Sequence, residues 1–530
     1  MHIEQLTTQV SVSDQITVND VSTLLKEGIE ILVCNRPDGE SDDQTPYAEI
    51  EAEAKKLGID FRLIAFSSYQ ITDEYRDQFI EVIAERKRIH AYCRTASRSK
   101  RLWRQANFMA GGEEEYNHAH PELVSTNKDE PTFSIVIVGA GSAGIATASS
   151  ILKRRPNSNI AIIDPAEHHY YQPGWTMVGG GLFSPQSTQR QTETLIPNGA
   201  TWIKNAVIEF SPRENLVVLS DSTVVHYDQL IVAPGLELHW AGIEGLEETL
   251  GKNGVTSNYR YDLAPYTWDL VSSLKKGNAV FTQPPMPIKC AGAPQKAVYL
   301  SADHWLKEGC LKNINISFHN SGGVLFGVPE FVPALTAYME KYKVDLQFTQ
   351  TLVKVDGASK TAWFKSGEGD LNEVKFDMLH VCPPQRAPEF IRSSPLADST
   401  GWLDVNPNTL QHAYFDNVWG AGDVMNSANA KTMAAARKQA PVVAQNVCDA
   451  IDKVKASAEY DGYGACPLTV ERGKIILAEF GYGGKLKPSF PQWLNTATKP
   501  TRFAWFLKAS ILPSVYWNFM LKGREWLTGK

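Results

Sequence analysis

A strand-like run, Phe133 to Val138, passes straight into Gly139-Ala140-Gly141-Ser142-Ala143-Gly144 and an alanine-rich helical stretch. A second apolar run, Ile160 to Ile163, then ends on Asp164. No other feature of the chain constrains its fold as much. Glycines in the G-x-G-x-x-G spacing allow a tight turn, bring backbone N–H groups and a helix N-terminus against a pyrophosphate, and let helix pack closely on strand. Asp164 follows Gly144 by 20 residues and stands where ribose hydroxyls would be bound. The spacing predicts a βαβ dinucleotide-binding domain beginning near residue 132. NAD and FAD both use this fingerprint, so by itself it leaves the cofactor open.

At 530 residues the chain has room for three or so folding units. With 43% hydrophobic and 21% charged residues it is globular in composition, neither disordered nor a multi-span membrane protein. Lys plus Arg number 52 against 59 Asp plus Glu, a net −7, the wrong sign for a nucleic-acid binder. The seven cysteines form no C-x-x-C pair, so neither a zinc site nor a disulfide framework is expected. Met1 to Asp14 is polar and lacks the pattern of an export signal, which points to the cytoplasm. Before the fingerprint, apolar runs at Ile29–Cys34 and Phe61–Phe66 and a helical stretch with Phe79, Val82 and Ile83 on one face read as a small α/β unit. The expected division is therefore 1–112, a polar linker at 113–131, an oxidoreductase body at 132–460 and a C-terminal segment at 461–530.

Two later segments bear on the cofactor. Tyr227-Asp228-Gln229-Leu230-Ile231-Val232-Ala233-Pro234-Gly235 and Val418-Trp419-Gly420-Ala421-Gly422-Asp423 resemble the returning strand and the second cofactor segment of flavoproteins with two dinucleotide domains. The resemblance implies FAD, held by Gly139, Gly141, Gly144, Asp164, Ala233, Gly235, Gly422 and Asp423, with Asp423 bonded to the ribityl chain. A nicotinamide donor would need a second glycine loop. The run after Ile314–His319, Asn320-Ser321-Gly322-Gly323-Val324-Leu325-Phe326-Gly327, lacks that spacing, which disfavours one.

Three further stretches are His169-Tyr170-Tyr171-Gln172-Pro173-Gly174-Trp175, Lys289-Cys290-Ala291-Gly292-Ala293-Pro294-Gln295-Lys296 and Lys431-Thr432-Met433-Ala434-Ala435-Ala436. Together they resemble the sulfide:quinone oxidoreductases of mitochondria and many bacteria, from about Thr132 to the C-terminus. The resemblance implies two Rossmann-like domains, oxidation of sulfide or a persulfide, and a membrane quinone as acceptor. It places Gln172, Pro173 and Lys431 near the flavin and gives Cys290 an adduct with it. Cysteine suits the chemistry, because only a thiolate serves as both nucleophile and leaving group for sulfur near neutral pH. Lys289 and Lys296 either favour that thiolate or are solvated surface. In the family as read here, a second redox cysteine follows the Asp of the G-x-G-D segment, where this chain has Val424; Cys382 is the candidate substitute, with Cys310, Cys448 and Cys466 taken as structural. An NAD(P)H:quinone reductase of the same fold and a non-enzymatic redox or sulfide sensor are the rival readings. A low-molecular-weight thiol as sulfur acceptor and homo-oligomer formation stay open.

Thr501 to Lys530 carries five basic residues and one acid. Its uncharged run, Ala509 to Leu521, is 13 residues, about 20 Å as helix, too short for a hydrocarbon core of roughly 30 Å. Trp505, Phe506, Tyr516, Trp517, Phe519 and Trp526, flanked by Lys508, Lys522 and Arg524, fit amphipathic helices lying in a membrane interface, with core packing as the alternative. The protein is therefore expected at the inner face of the membrane. In the N-terminal unit, Ile89–Tyr92 leads into Cys93-Arg94-Thr95-Ala96-Ser97-Arg98-Ser99 and a helix, a site for a stabilised thiolate and an anion. It resembles a tyrosine-phosphatase-like domain found fused to hydrolase-like and oxidoreductase domains, with Arg98 one position closer to the cysteine than in a phosphatase loop and nearer to rhodanese spacing. Sulfur transfer on Cys93, phosphatase activity and a silent domain are the three readings.

Overall fold

The computed structural model describes residues 3–40, 44–66, 73–94, 96, 98–100, 102–103, 106 and 130–525. The chain divides into two compact units, Met1–Glu130 and Pro131–Lys530. Most of the expected linker lies outside the described residues, as does Trp526.

The first unit is a five-stranded sheet. Val10–Ser13, Ile89–Tyr92, Ile31–Cys34 and Asp60–Leu63 run parallel, and Ile3–Gln5 is antiparallel at one edge. Parallel strands are covered by helices on both faces, so they read as unbroken apolar runs. Ile31–Cys34 illustrates this: Ile31 and Val33 join the core on one face, Leu32 and Cys34 the core on the other. Cys93 follows the central strand at its C-terminal end.

The second unit holds a mixed seven-stranded sheet with a parallel centre and a parallel five-stranded sheet. In the first, Thr132–Val138 lies between Ile160–Ile163 and Val224–Val232, which also pairs in parallel with Val418–Gly420. The two segments expected to touch one cofactor, 227–235 and 418–423, therefore end side by side next to the glycine turn. Helix Ser142–Arg154 leaves that turn and packs along helix Met433–Ile451. In the second sheet, Gly277–Gln283 lies between Met378–His380 and Ile314–Asn320. Its connection runs through Pro284–Gly292 and helix Ala293–Lys307. Ile314–Asn320, where the sequence reading looked for a second glycine loop, is thus the second strand of this βαβ unit. The turn at the phosphate-loop position is the one that carries Cys290.

The hairpin Gly464–Glu471/Lys474–Phe480 packs Cys466, Leu468, Val470, Ile476 and Ala478 into the core under helix Ala293–Lys307. The C-terminal segment also differs from an interfacial helix pair. Tyr516, Trp517, Met520 and Leu521 are buried in the core of the first sheet, and among the described aromatic residues expected at an interface only Phe506 is largely exposed. Burial of aromatic area here outweighs its exposure to a surface.

Gly144 sets the distance between strand and helix. A Cβ there would fall within van der Waals overlap of the Gly139 carbonyl oxygen, at 1.9 Å. Gly144→Ala is expected to lower unfolding stability by about 2 kcal/mol in denaturant titration, because the helix must move off the strand.

Candidate active site

A cavity of about 280 Å³ runs from the glycine turn to Cys290. At one end Gly139 has φ 108°, and a side chain there would meet the Ala233 carbonyl oxygen at 2.4 Å. Asp164 accepts from Ala140 N at 2.6 Å and from Ala166 N at 2.8 Å, so the acid is tied to the turn while each oxygen keeps a lone pair for a hydroxyl. Gly141, Ala233, Gly235, Gly422 and Asp423 line the same space. The two long helices beginning at Ser142 and Met433 both open into it, the second capped by Thr432, whose hydroxyl oxygen accepts from Ala435 N at 3.2 Å. Their combined positive ends suit a pyrophosphate and an electron-rich ring.

Buried polar atoms without protein partners mark where a ligand completes the site. Both side-chain atoms of Asn258 and the indole N–H of Trp175 have none, and both residues line the cavity. A polar, hydrogen-bonding cofactor fits these positions and an apolar one does not. Burial raises the Asp423 carboxyl above its ordinary range, and Lys431 and Lys289 pull it back. Lys431 donates to the Asp423 carbonyl at 2.8 Å and the Met425 carbonyl at 2.6 Å, and burial brings its ammonium down to about 8. It therefore clamps the second cofactor segment from behind. Gln172 accepts from Lys289 at 2.5 Å, and the Pro173 carbonyl accepts from Lys508 at 2.8 Å.

The sulfur end differs from the sequence reading. Cys290 sits at φ 50°, and its N–H donates to the Lys431 carbonyl at 2.8 Å, joining the two family motifs. Its sulfur lies 3.5 Å from that of Cys466 and 3.1 Å from Lys296 Nζ. Lys296, on the first turn of helix Ala293–Lys307, is 4.0 Å from the Cys466 sulfur. The nearer cation decides which sulfur is ionised. The Cys290 thiol is held well below its ordinary value by the hydrogen bond from Cys466 and by Lys296, against the cost of burial. Cys466 is driven well above its own by that same hydrogen bond and by burial. Burial alone would lower Lys296, but the attraction of Cys290 and Cys466 more than offsets it, and its pKa is raised. Lys508, 2% exposed, faces the same cavity, and burial with repulsion from Lys296 brings its ammonium down to about 7.

Cys382, the expected substitute, packs with Tyr259, Ile288 and Ala293. Burial pushes its thiol up to about 12, which disfavours the thiolate at neutral pH. Gln385 Nε2 lies 3.9 Å from its sulfur. Val424 is fully buried in the first core. The thiol in contact with Cys290 is Cys466, taken from sequence as structural. Nothing local marks it: it lies mid-strand, 176 residues from Cys290, and only the hairpin fold brings the two together.

In the first unit Cys93 is buried at the strand end. Arg98, 5% exposed, donates to both oxygens of Glu40 at 2.8 and 2.6 Å and to the Phe66 carbonyl at 2.8 Å. Arg36 Nε adds a third contact to Glu40 at 3.1 Å. The Arg98 hydrogen bonds, with Arg36, hold the Glu40 carboxyl below its usual range. Ala96 adopts φ 66°, a left-handed conformation that costs a residue with a Cβ about 1 kcal/mol. Thr95 and Ser97 lie outside the described residues. Glu40 was not legible as a partner, because 58 residues separate it from Arg98.

Residues 133–267 match the pyridine nucleotide-disulphide oxidoreductase family, and residues 2–110 match the phosphatase-like domain of beta-lactamase hydrolase-like protein. The mitochondrial sulfide:quinone oxidoreductase of Dictyostelium discoideum is 42% identical over 393 residues, covering 74% of this chain and 86% of the relative. Its Mus musculus counterpart is 36% identical, covering 74% and 87%. This chain belongs to the sulfide:quinone oxidoreductase family. It is an FAD-dependent oxidoreductase, with a phosphatase-like domain at its N-terminus. Among solved structures, the sulfide:quinone oxidoreductase of Aquifex aeolicus aligns at TM-score 0.61 and 20% identity, over 74% of this chain and 92% of that one. A chain of the Tetrahymena thermophila mitochondrial ATP synthase structure aligns at 0.67 and 20%, over 75% and 98%. At these identities the two structures show the fold alone.

Removing the cation tests the electrostatics at the sulfur pair. Lys296→Met takes away the charge nearest Cys290, raises its thiol pKa and lowers the thiolate fraction. Alkylation of Cys290 by iodoacetamide at pH 7, followed by mass spectrometry, is expected to slow about tenfold.

Proposed function

We propose that this member of the sulfide:quinone oxidoreductase family oxidises hydrosulfide at the Cys290–Cys466 pair and delivers the electrons to a quinone. The observation that carries the reading is a thiolate-stabilising lysine beside two sulfurs 3.5 Å apart, with Lys296 and Cys290 lining the cavity that also opens on the dinucleotide turn and Cys466 packed directly behind Cys290. In the working cycle hydrosulfide attacks the Cys466 side of the oxidised pair, forming a persulfide there and expelling Cys290 as thiolate. Lys296 stabilises that leaving group and attracts the incoming anion. A thiolate acceptor then takes the outer sulfur, leaving Cys466 reduced, and reclosure of the pair releases two electrons. FAD, when bound, would supply the two-electron acceptor between the sulfur pair and a quinone.

Exposed Trp493 and Phe506 support a peripheral seat at the inner face of a membrane, where a quinone partitions. No described helix is long and apolar enough to cross one. For the N-terminal unit, the engagement of Arg98 by Glu40 favours sulfane-sulfur carriage on Cys93 over phosphatase chemistry. A phosphate dianion would have to displace the carboxylate, whereas a sulfane sulfur needs no second cation.

Anaerobic stopped-flow absorbance of the flavin band tests the main reading, with sulfide, a small persulfide and NADH mixed separately. Sulfide or persulfide is expected to bleach the wild type within seconds and to leave Cys290→Ser and Cys466→Ser unbleached. Bleaching by NADH alone, indifferent to both substitutions, would sink it. In parallel, Cys93→Ser is expected to abolish sulfur transfer from thiosulfate to cyanide while leaving sulfide-driven bleaching intact; a wild type without such transfer counts against Cys93 as a carrier.

A further inference from the structure

Tyr516 lies 374 residues from the glycine turn in sequence, yet its hydroxyl is 2.7 Å from Ser142 Oγ and 2.5 Å from His169 Nε2. The other nitrogen of His169 faces the Ala140 carbonyl at 2.9 Å. Proton directions in this chain are determined. A carbonyl only accepts, so Nδ1 carries the hydrogen and donates to Ala140. The ring is 4% exposed and burial brings its pKa down to about 4, so it is neutral and Nε2 accepts. Tyr516 therefore donates to His169, and its oxygen accepts from Ser142. With Ala140 N donating to Asp164, hydrogen bonds enclose the dinucleotide turn from both sides.

The segment bearing Tyr516 is itself stapled to the helix that leaves the turn. Ser149 Oγ donates to the Leu521 carbonyl at 2.8 Å, Ser150 Oγ donates to Glu525 at 2.9 Å, and Arg154 pairs with Glu525. Gly523, at φ 62°, lies flush on that helix, and a Cβ there would meet the Ser149 backbone carbon at 2.7 Å.

We propose that Leu512–Glu525 is a strap whose docking sets FAD retention, with Tyr516 as the positioning residue that holds the dinucleotide turn through Ser142 and His169. The segment makes the turn rigid before the cofactor arrives, so binding loses less entropy. Linkage makes the effect reciprocal: FAD tightens the strap by the factor that the strap tightens FAD. This inference rests on FAD binding alone and is independent of sulfide chemistry.

The test is FAD titration of the stripped full-length protein, read by quenching of flavin fluorescence. Tyr516→Phe keeps the ring but leaves His169 Nε2 and Ser142 without their partner, and is expected to weaken FAD about tenfold. Ser142→Ala, which removes one of the two hydrogen bonds of the Tyr516 hydroxyl, should weaken it less, and the double variant no more than Tyr516→Phe alone, because the tyrosine substitution already removes the Ser142 connection. Gly523→Ala, which touches no part of the turn, should also weaken FAD. Hydrogen exchange on the wild type should show FAD slowing the amides of 512–525. A wild-type Kd in Tyr516→Phe, effects that multiply in the double variant, or exchange in the strap indifferent to FAD would each overturn the proposal. Where a variant fails to fold, the wild-type exchange measurement decides.

Discussion

A lysine ammonium and a thiolate, both taken out of water, are the interaction on which the reactive end of this protein depends. Neither charge survives burial alone, and the pair is tolerated only because the two lie 3.1 Å apart and the second sulfur donates to the first. That geometry imposes conditions on three elements at once. The turn Pro284–Gly292 must expose Cys290 at an otherwise unfavourable φ, and helix Ala293–Lys307 must begin immediately so that Lys296 lies one turn away. The hairpin must press Cys466 onto both. Gly292 marks the closeness of this packing: a Cβ there would meet the Cys466 sulfur at 2.6 Å.

The flavin end solves a related problem without fixed charges. Two helix N-termini and a row of backbone N–H groups supply positive potential, and glycine carries it because only a residue without Cβ allows the approach at Gly139 and Gly144. Lysines near this end act on the protein itself. Lys431 holds the backbone of Asp423 and Met425, and Lys508 holds that of Pro173. The N-terminal unit treats its anion site differently again, with two arginines closing on one internal carboxylate, Glu40.

Much of this was legible in local sequence. The glycine spacing, Asp164, the 227–235 and 418–423 segments and the Cys290 motif are each contiguous, and a short stretch of backbone is enough to form each one. What was missed or misread shares one character. Cys466, Glu40 and Tyr516 owe their roles to neighbours 58 or more residues away, and their own surroundings look like ordinary strand, loop and amphipathic helix. Cys382 misled for the same reason. It ends a strand near the site, as expected, but burial leaves its sulfur a protonated thiol packed among apolar side chains. In the tail, periodic aromatics signalled a buried or interfacial face without saying which.

By itself the sequence determined the class of fold, the dinucleotide turn and Cys290 as the candidate reactive thiol, because those depend on φ preferences, glycine spacing and residue chemistry within a few positions. Tertiary structure alone decided which second sulfur meets Cys290, which cation ionises it, and that the C-terminal aromatics close over the cofactor turn. Those outcomes depend on distances of 3 to 4 Å between side chains far apart in the chain, and only the packing of sheet, helix and hairpin into one core sets them.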